Sequence, residues 1–229
     1  MKYTLQILRR NAPGEKPVWK AYELETETES VTVATALSMI NKTLPAEEKI
    51  MWDCSCLQKK CGACAMLING KPGLACARRL ADYGDHIRLE PLKKFPLVED
   101  LIVDRGIMSE NLKMMEVYLK GEALVNEKRN ELSYEASRCL QCGCCLEVCP
   151  NYMANNGFTG MAGAMPLSRI INELNKSDLK EVSKTYNRYV YEGCGKSLAC
   201  VDICPAGIKI EDLLVNSNAI AVWKRYIKD

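Results

Sequence analysis

The sequence predicts an α+β protein, a mixed β segment over residues 1–103 followed by an all-helical one over 104–229. Three observations carry this. Strand-like apolar runs and a hairpin signal fill the first segment, and apolar residues at helical spacing dominate the second. The 13 cysteines divide the same way, with 62 residues between Cys76 and Cys139.

The elements follow in order. MKYTLQIL alternates Tyr3, Leu5 and Ile7, and WKAYELET reads as a second strand. Ser30 is placed to cap a helix with Val33, Leu37 and Ile40 on one side. AMLINGKPGLAC sets Asn69-Gly70 between apolar runs, a hairpin signal. IRLEPL, residues 87–92, supplies the last strand. Beyond Asp104, NLKMMEVYL carries Leu112, Met115 and Leu119 on one helical side. Pro166 suits a first helical position, leading Leu167, Ile170, Ile171 and Leu174. In 210–228, Leu213, Leu214, Trp223 and Ile227 recur at helical spacing.

The totals narrow the function. Apolar content of 48% and charged content of 26% are those of an ordinary globular chain. A formal charge of +2, without a Lys/Arg block, gives no footing for nucleic acid. No apolar run approaches the roughly 18 residues of a membrane span, so membrane association is expected through a partner. The N-terminus lacks the apolar core of a signal peptide, and cysteines kept in a reducing compartment serve as metal ligands rather than disulfides. His86 is the one histidine, which excludes a Rieske centre and the two-histidine iron triad. It reads as a surface residue entering IRLEPL.

Cys56, Cys61 and Cys64 follow C-x4-C-x2-C, with Cys76 further along. This is the plant-type spacing for a 2Fe-2S cluster, though the last interval is short. Gly62 and Ala63 let backbone amides approach bridging sulfides. Cys54 fits no cluster pattern in that register. Structural zinc favours two close cysteine pairs, and only Cys61 and Cys64 form one here.

Cys139, Cys142, Cys145 and Cys149-Pro150 spell C-x2-C-x2-C-x3-C-P, the bacterial ferredoxin run in which the fourth cysteine ligates the other cluster. Cys144 falls between ligand slots. In CGKSLACVDICP, residues 194–205, Ser197 stands where the run needs a cysteine. Crossing gives Cys139, Cys142, Cys145 and Cys204 to a 4Fe-4S cluster. Cys149, Cys194 and Cys200 remain for a 3Fe-4S cluster, since a cubane corner without thiolate is easily lost. A Ser197 hydroxyl or a water on a fourth iron is the alternative.

With these motifs the chain resembles the iron–sulfur subunit of the succinate dehydrogenase and fumarate reductase family. CLQKKCGAC with INGKPGLAC, CLQCGCCLEVCP, FTGMAGAM at 158–165 and the closing C-x5-C-x3-C-P carry the likeness. The resemblance implies an N-terminal β-grasp domain of plant-ferredoxin type and a helical domain like bacterial ferredoxins. It implies an FAD-containing catalytic flavoprotein beside the 2Fe-2S cluster. It also implies membrane anchor subunits, with or without haem, that bind quinone near the 3Fe-4S cluster. Electrons would pass singly between flavin and quinone, with the chain held peripherally at the cytoplasmic face of the membrane.

Pro150 is the one residue the resemblance places near quinone. FTGMAGAM reads either as close packing or as a partner-facing surface. Tyr152-Met153-Ala154 lacks the tryptophans of many succinate dehydrogenases, and Gly195 stands where many have histidine. Both departures point towards fumarate reduction or menaquinone. Two other readings are a soluble flavin oxidoreductase and a free-standing ferredoxin or zinc module, the latter disfavoured by two cluster segments in tandem.

Overall fold

The computed structural model describes residues 1–10, 14–119, 121–122 and 130–223. Ile227 of the expected C-terminal stripe lies outside them. The chain divides into two compact units: Met1–Arg105 with Cys142–Cys144, and Gly106–Gln141 with the chain from Cys145 onwards.

The first unit is built on a five-stranded mixed sheet, in the order β2-β1-β5-β3-β4. β1 (Lys2–Arg9) pairs antiparallel with β2 (Val18–Glu25). Alternation in β1 buries Tyr3, Leu5 and Ile7, the last two fully. β3 (Ala65–Ile68) and β4 (Lys71–Leu74) form the expected hairpin, with Ile68 opposite Lys71. Asn69 and Gly70, at φ 47° and 76°, make the two-residue left-handed turn whose twist matches the strands. β5 (His86–Glu90) then runs between β1 and β3, parallel to the first and antiparallel to the second. This is the β-grasp arrangement. The last strand stops at Glu90 rather than residue 92, because Pro91 has no N–H for the ladder. His86 opens that strand with its side chain exposed.

Helix α1 (Val33–Thr43) buries Val33, Leu37 and Ile40, but Thr32 caps it instead of Ser30. Thr32 has the extended backbone a cap needs, and its hydroxyl accepts the Thr35 N–H at 3.1 Å. Ser30 shares a hydroxyl hydrogen bond with Thr28. A small hairpin, β6 (Leu97–Glu99) and β7 (Ile102–Val103), carries the buried Asp100 at its tip.

Asp100 pins this unit. Its carboxylate accepts Arg9 Nε at 2.9 Å, Arg10 N–H at 2.9 Å and Met51 N–H at 2.9 Å. Arg9 completes its fork on Tyr22 Oη and the carbonyls of Glu48 and Lys49. Burial opposes the Arg9 charge, yet Asp100 and Tyr22 hold its pKa above the ordinary value. Both charges are satisfied on every side, the condition under which a buried pair is tolerated.

The regular elements of the second unit are all helical among its described residues. Helix α2 (Gly106–Met114) is shorter than the apolar pattern of 111–119 suggests. Glu116 turns left-handed at φ 50°, so Met115 is buried just past the helix while Val117 and Leu119 pack on the core from irregular chain. Then come α3 (Asn130–Ser137), α4 (Cys144–Val148), α5 (Gly160–Ile170), α6 (Lys176–Tyr186), a π-turn (Asn187–Tyr191), α7 (Ala199–Ile203) and α8 (Ile210–Ala221). Met165, Leu167, Ile171, Tyr186, Leu213 and Ile220 belong to one core. Two buried polar pairs fix its register: Ser168 with Ser217 at 2.8 Å, and Tyr186 Oη donating to Asn218 Oδ1 at 2.8 Å.

Pro166 is inside α5, not at its start. A proline there strands the carbonyl of residue 162. Gln141 supplies the missing donor, its Nε2 reaching Ala162 O at 2.9 Å.

Candidate metal centres

The two-iron candidates lie on a loop shaped by left-handed residues. Leu57, Lys59 and Gly62 have φ of 52°, 60° and 76°. Such alternation turns successive amides into a concavity that receives anions and iron–sulfur cores. Here the amides meet sulfur. Gln58 and Lys60 N–H each donate to Cys56 Sγ at 3.3 Å, and Lys59 N–H donates to Cys76 Sγ at 3.3 Å.

Those amides, Gln58 first, bring the Cys56 thiol down to about 7. Burial pushes Cys64 the other way, up to about 12, with the neighbouring Cys76 and Cys61 adding to it. A thiolate at Cys64 therefore needs positive charge beside it, which ferric iron would supply. The donor chemistry fits a two-iron core: four gathered cysteines, amide donors on two of them, and one buried ligand. Arg105 braces the same loop, its Nη2 donating to Ala63 O at 3.0 Å and Ala65 O at 3.1 Å.

The run from Cys139 to Cys149 alternates helix ends with left-handed residues. Cys139 follows α3, its N–H on Ala136 O, and Gln141 and Gly143 adopt φ of 48° and 84°. Gln141 Nε2 also lies 3.4 Å from Cys139 Sγ. A Cβ on Gly143 would stand 2.9 Å from Phe95 Cζ, so this glycine is required twice over. Cys144 is fully buried. Its thiol hydrogen-bonds Cys142 and, with the charge of Arg105 helping against burial, brings Cys142 down to about 7.

In the second unit Cys149 follows α4, Cys194 follows the π-turn, and Cys200 and Cys204 lie in and just after α7. Burial pushes the Cys200 thiol up to about 11, and the nearby sulfurs of Cys149, Cys194 and Cys204 push it further. Cys149 is thus within electrostatic reach of Cys200 although a long stretch of chain separates them. Ser197 is exposed. The residues around Cys194 are tightly packed: a Cβ on Gly193 would meet Phe158 at 2.4 Å, and one on Gly195 would meet Asn151 Nδ2 at 2.6 Å. Asn151 Nδ2 in turn donates to Gly193 O at 2.8 Å. Among the described residues, no three His, Cys, Asp or Glu side chains are arranged around a single ion.

Two family models match the chain. A 2Fe-2S iron–sulfur cluster binding domain covers residues 4–110, and a 4Fe-4S dicluster domain covers 135–208. The succinate dehydrogenase iron–sulfur subunit of Bacillus subtilis is 36% identical, over 93% of this chain and 89% of that protein. The fumarate reductase iron–sulfur subunit of Wolinella succinogenes is 31% identical, over 86% of each. The chain belongs to this family of succinate dehydrogenase and fumarate reductase iron–sulfur subunits. Its fold agrees: a chain of the Mycobacterium smegmatis Sdh1 complex in the apo form superposes with a TM-score of 0.83 at 22% identity, covering 98% of this chain and 97% of that one.

Within the family frame, FTGMAGAM has a packing role. Residues 158–165 are all buried, and a Cβ on Gly160 would lie 2.4 Å from Leu146 Cδ2. Its small residues let α5 approach α4, and the partner-facing alternative gives way. Pro150 and Met153 are exposed beside Cys149, whereas Tyr152 is buried. Three residues were not singled out from the sequence: Arg105, Gln141 and Asn151. None belongs to a spacing pattern, and each acts through a contact between distant parts of the chain. Only Gln141 left a trace, as a polar residue inside a cysteine run.

Proposed function

We propose that the chain is the electron relay of a fumarate reductase or succinate dehydrogenase linked to quinone. Cys56, Cys61, Cys64 and Cys76 would hold a 2Fe-2S cluster, and Cys139, Cys142, Cys145 and Cys204 a 4Fe-4S cluster. Cys149, Cys194 and Cys200 would hold a 3Fe-4S cluster. When bound, such clusters supply centres that accept and release one electron each, between the two-electron chemistry of an FAD flavoprotein and that of a quinone. The relay makes no bonds, and the dicarboxylate belongs to the flavoprotein.

The chain's residues contribute in three ways. Amides of Gln58, Lys59 and Lys60 favour negative charge on Cys56 and Cys76, and so favour the electron-rich state of the site. The same loop exposes Leu57, Lys59, Lys60 and Cys61, leaving that end open to a flavoprotein. At the other site, the exposed Pro150 and Met153 offer apolar surface for an anchor and its quinone. No helix among the described residues is long and apolar enough to cross a membrane, so attachment at the cytoplasmic face would be through the anchor.

What supports this reading is that the sulfurs of Cys149, Cys194 and Cys204 all bear on Cys200, so that cysteines of the two runs lie near one another, the condition for ligands to cross between runs. Metal analysis tests it: about nine irons per chain and no stoichiometric zinc are expected. Electron paramagnetic resonance of the oxidised complex should give a three-iron signal, and Cys194→Ser or Cys200→Ser should abolish that signal alone. Zinc, or two identical cubanes and nothing else, sinks the assignment. A side chain at Gly195 would meet the Asn151 amide, so a histidine there requires Asn151 to move; its absence from this chain suits menaquinone or a soluble donor. Copurification of a membrane-spanning partner separates those two.

A further inference from the structure

One nitrogen of the Gln141 amide serves two acceptors. Nε2 reaches Ala162 O at 2.9 Å and Cys139 Sγ at 3.4 Å. The carbonyl is the one that Pro166 leaves without its helical donor, and it fixes which way the amide points. A reversed amide would set Oε1 against that carbonyl oxygen and take the donor away from the sulfur. Oε1 is instead buried with no hydrogen-bond partner among the described residues, a costly position for an acceptor. The Gln141 backbone is also left-handed, at φ 48°, which few side chains favour. Three features that are each unfavourable alone thus combine to aim one N–H at a candidate ligand. The chain around it fits a shared site: Arg138 Nη2 donates to Ala206 O at 2.6 Å, fastening the residue before Cys139 to one just beyond Cys204.

We propose that Gln141 is a positioning residue whose amide, clamped by the carbonyl that Pro166 frees, raises the reduction potential of the four-iron centre through Cys139. This rests on the ligand assignment above. One electron enters or leaves such a site, and no bond forms or breaks. The added negative charge spreads onto the ligand sulfurs, where an N–H donor stabilises it, so the reduced form gains. An amide carries no net charge, so its effect is confined to the sulfur it touches. The competing account is a brace that only makes good the broken helical bond of α5. A brace would matter for stability and not for potential.

Redox potentiometry of the isolated complex, followed by electron paramagnetic resonance, separates the two. Gln141→Leu should lower the four-iron midpoint by threefold or more in equilibrium constant, roughly 28 mV at 59 mV per decade for one electron. The two-iron and three-iron midpoints are internal references and should not move. Pro166→Ala restores an N–H for Ala162 O within α5 and so removes the need for a brace. The midpoint shift should persist in that background, since a carbonyl oxygen accepts twice and the amide can keep its place. Should the leucine variant load its clusters poorly, Gln141→Met in the Pro166→Ala background carries the same expectation. An unmoved four-iron midpoint, an equal shift of all three centres, or a shift confined to the proline-bearing chain overturns the proposal and leaves the ligand assignment standing. A shift of the three-iron centre in place of the four-iron one, or no four-iron signal from the unmodified complex, overturns both.

Discussion

The two units present their cysteines by opposite means. In the first, a loop does it: left-handed residues aim amides at Cys56 and Cys76, and a sheet merely frames them. In the second, helix ends do it, and the intervening geometry is set by packing, as where Gly160 admits Leu146 and Gly193 admits Phe158. A loop site is therefore governed by local backbone conformation and hydrogen bonds. A helix-end site is governed by how closely its helices approach.

Replacing single candidate ligands breaks the comparison most severely. Cys64→Ser should remove about two irons and Cys200→Ser about three, each sparing the other site, as iron analysis with paramagnetic resonance would register. Loss of both centres from either change would mean the sites are not independent. Next comes the pin of the first unit. Asp100→Ala leaves Arg9 buried without its carboxylate and should cost about 3–5 kcal/mol, read as a lower urea midpoint. In the second unit the corresponding change is milder. Gln141→Leu withdraws the donor from Ala162 O beside Pro166, for about 1–3 kcal/mol by the same denaturation. Smallest is the glycine test. Gly143→Ala should cost about 1–2 kcal/mol for its left-handed backbone, plus crowding against Phe95. Adding Phe95→Leu should recover the crowding part only, and full recovery would show that backbone conformation matters little there.

What the sequence disclosed follows the same division. Periodicity located β1 and the β3–β4 hairpin because both depend on neighbours in the chain. The cysteine spacings belong with these local signals, since candidate ligands on one loop or one helix end keep fixed intervals. The parallel pairing of β1 with β5 was not legible, because nothing local ties Leu5 to Ile87. Pro166 was misplaced as a helix start because its compensation comes from Gln141, in a different segment. Helix α2 was drawn too long because Met115, Val117 and Leu119 are apolar for packing after the helix has ended. Arg105 and Asn151 announce themselves only once distant carbonyls are brought to them.

The parallel neighbour of β1 also sets an order of events during synthesis. β5 cannot take its place until Glu90 has emerged, whereas Cys56, Cys61, Cys64 and Cys76 all precede it. At roughly 5–20 residues per second, the growing chain passes from Cys76 to Glu90 in about one to three seconds. During that interval every thiol of the set is present while the central strand of the sheet is absent. All four thiols are therefore made before the strand that joins β1 to β3 exists, and the sheet that frames their loop is completed only afterwards.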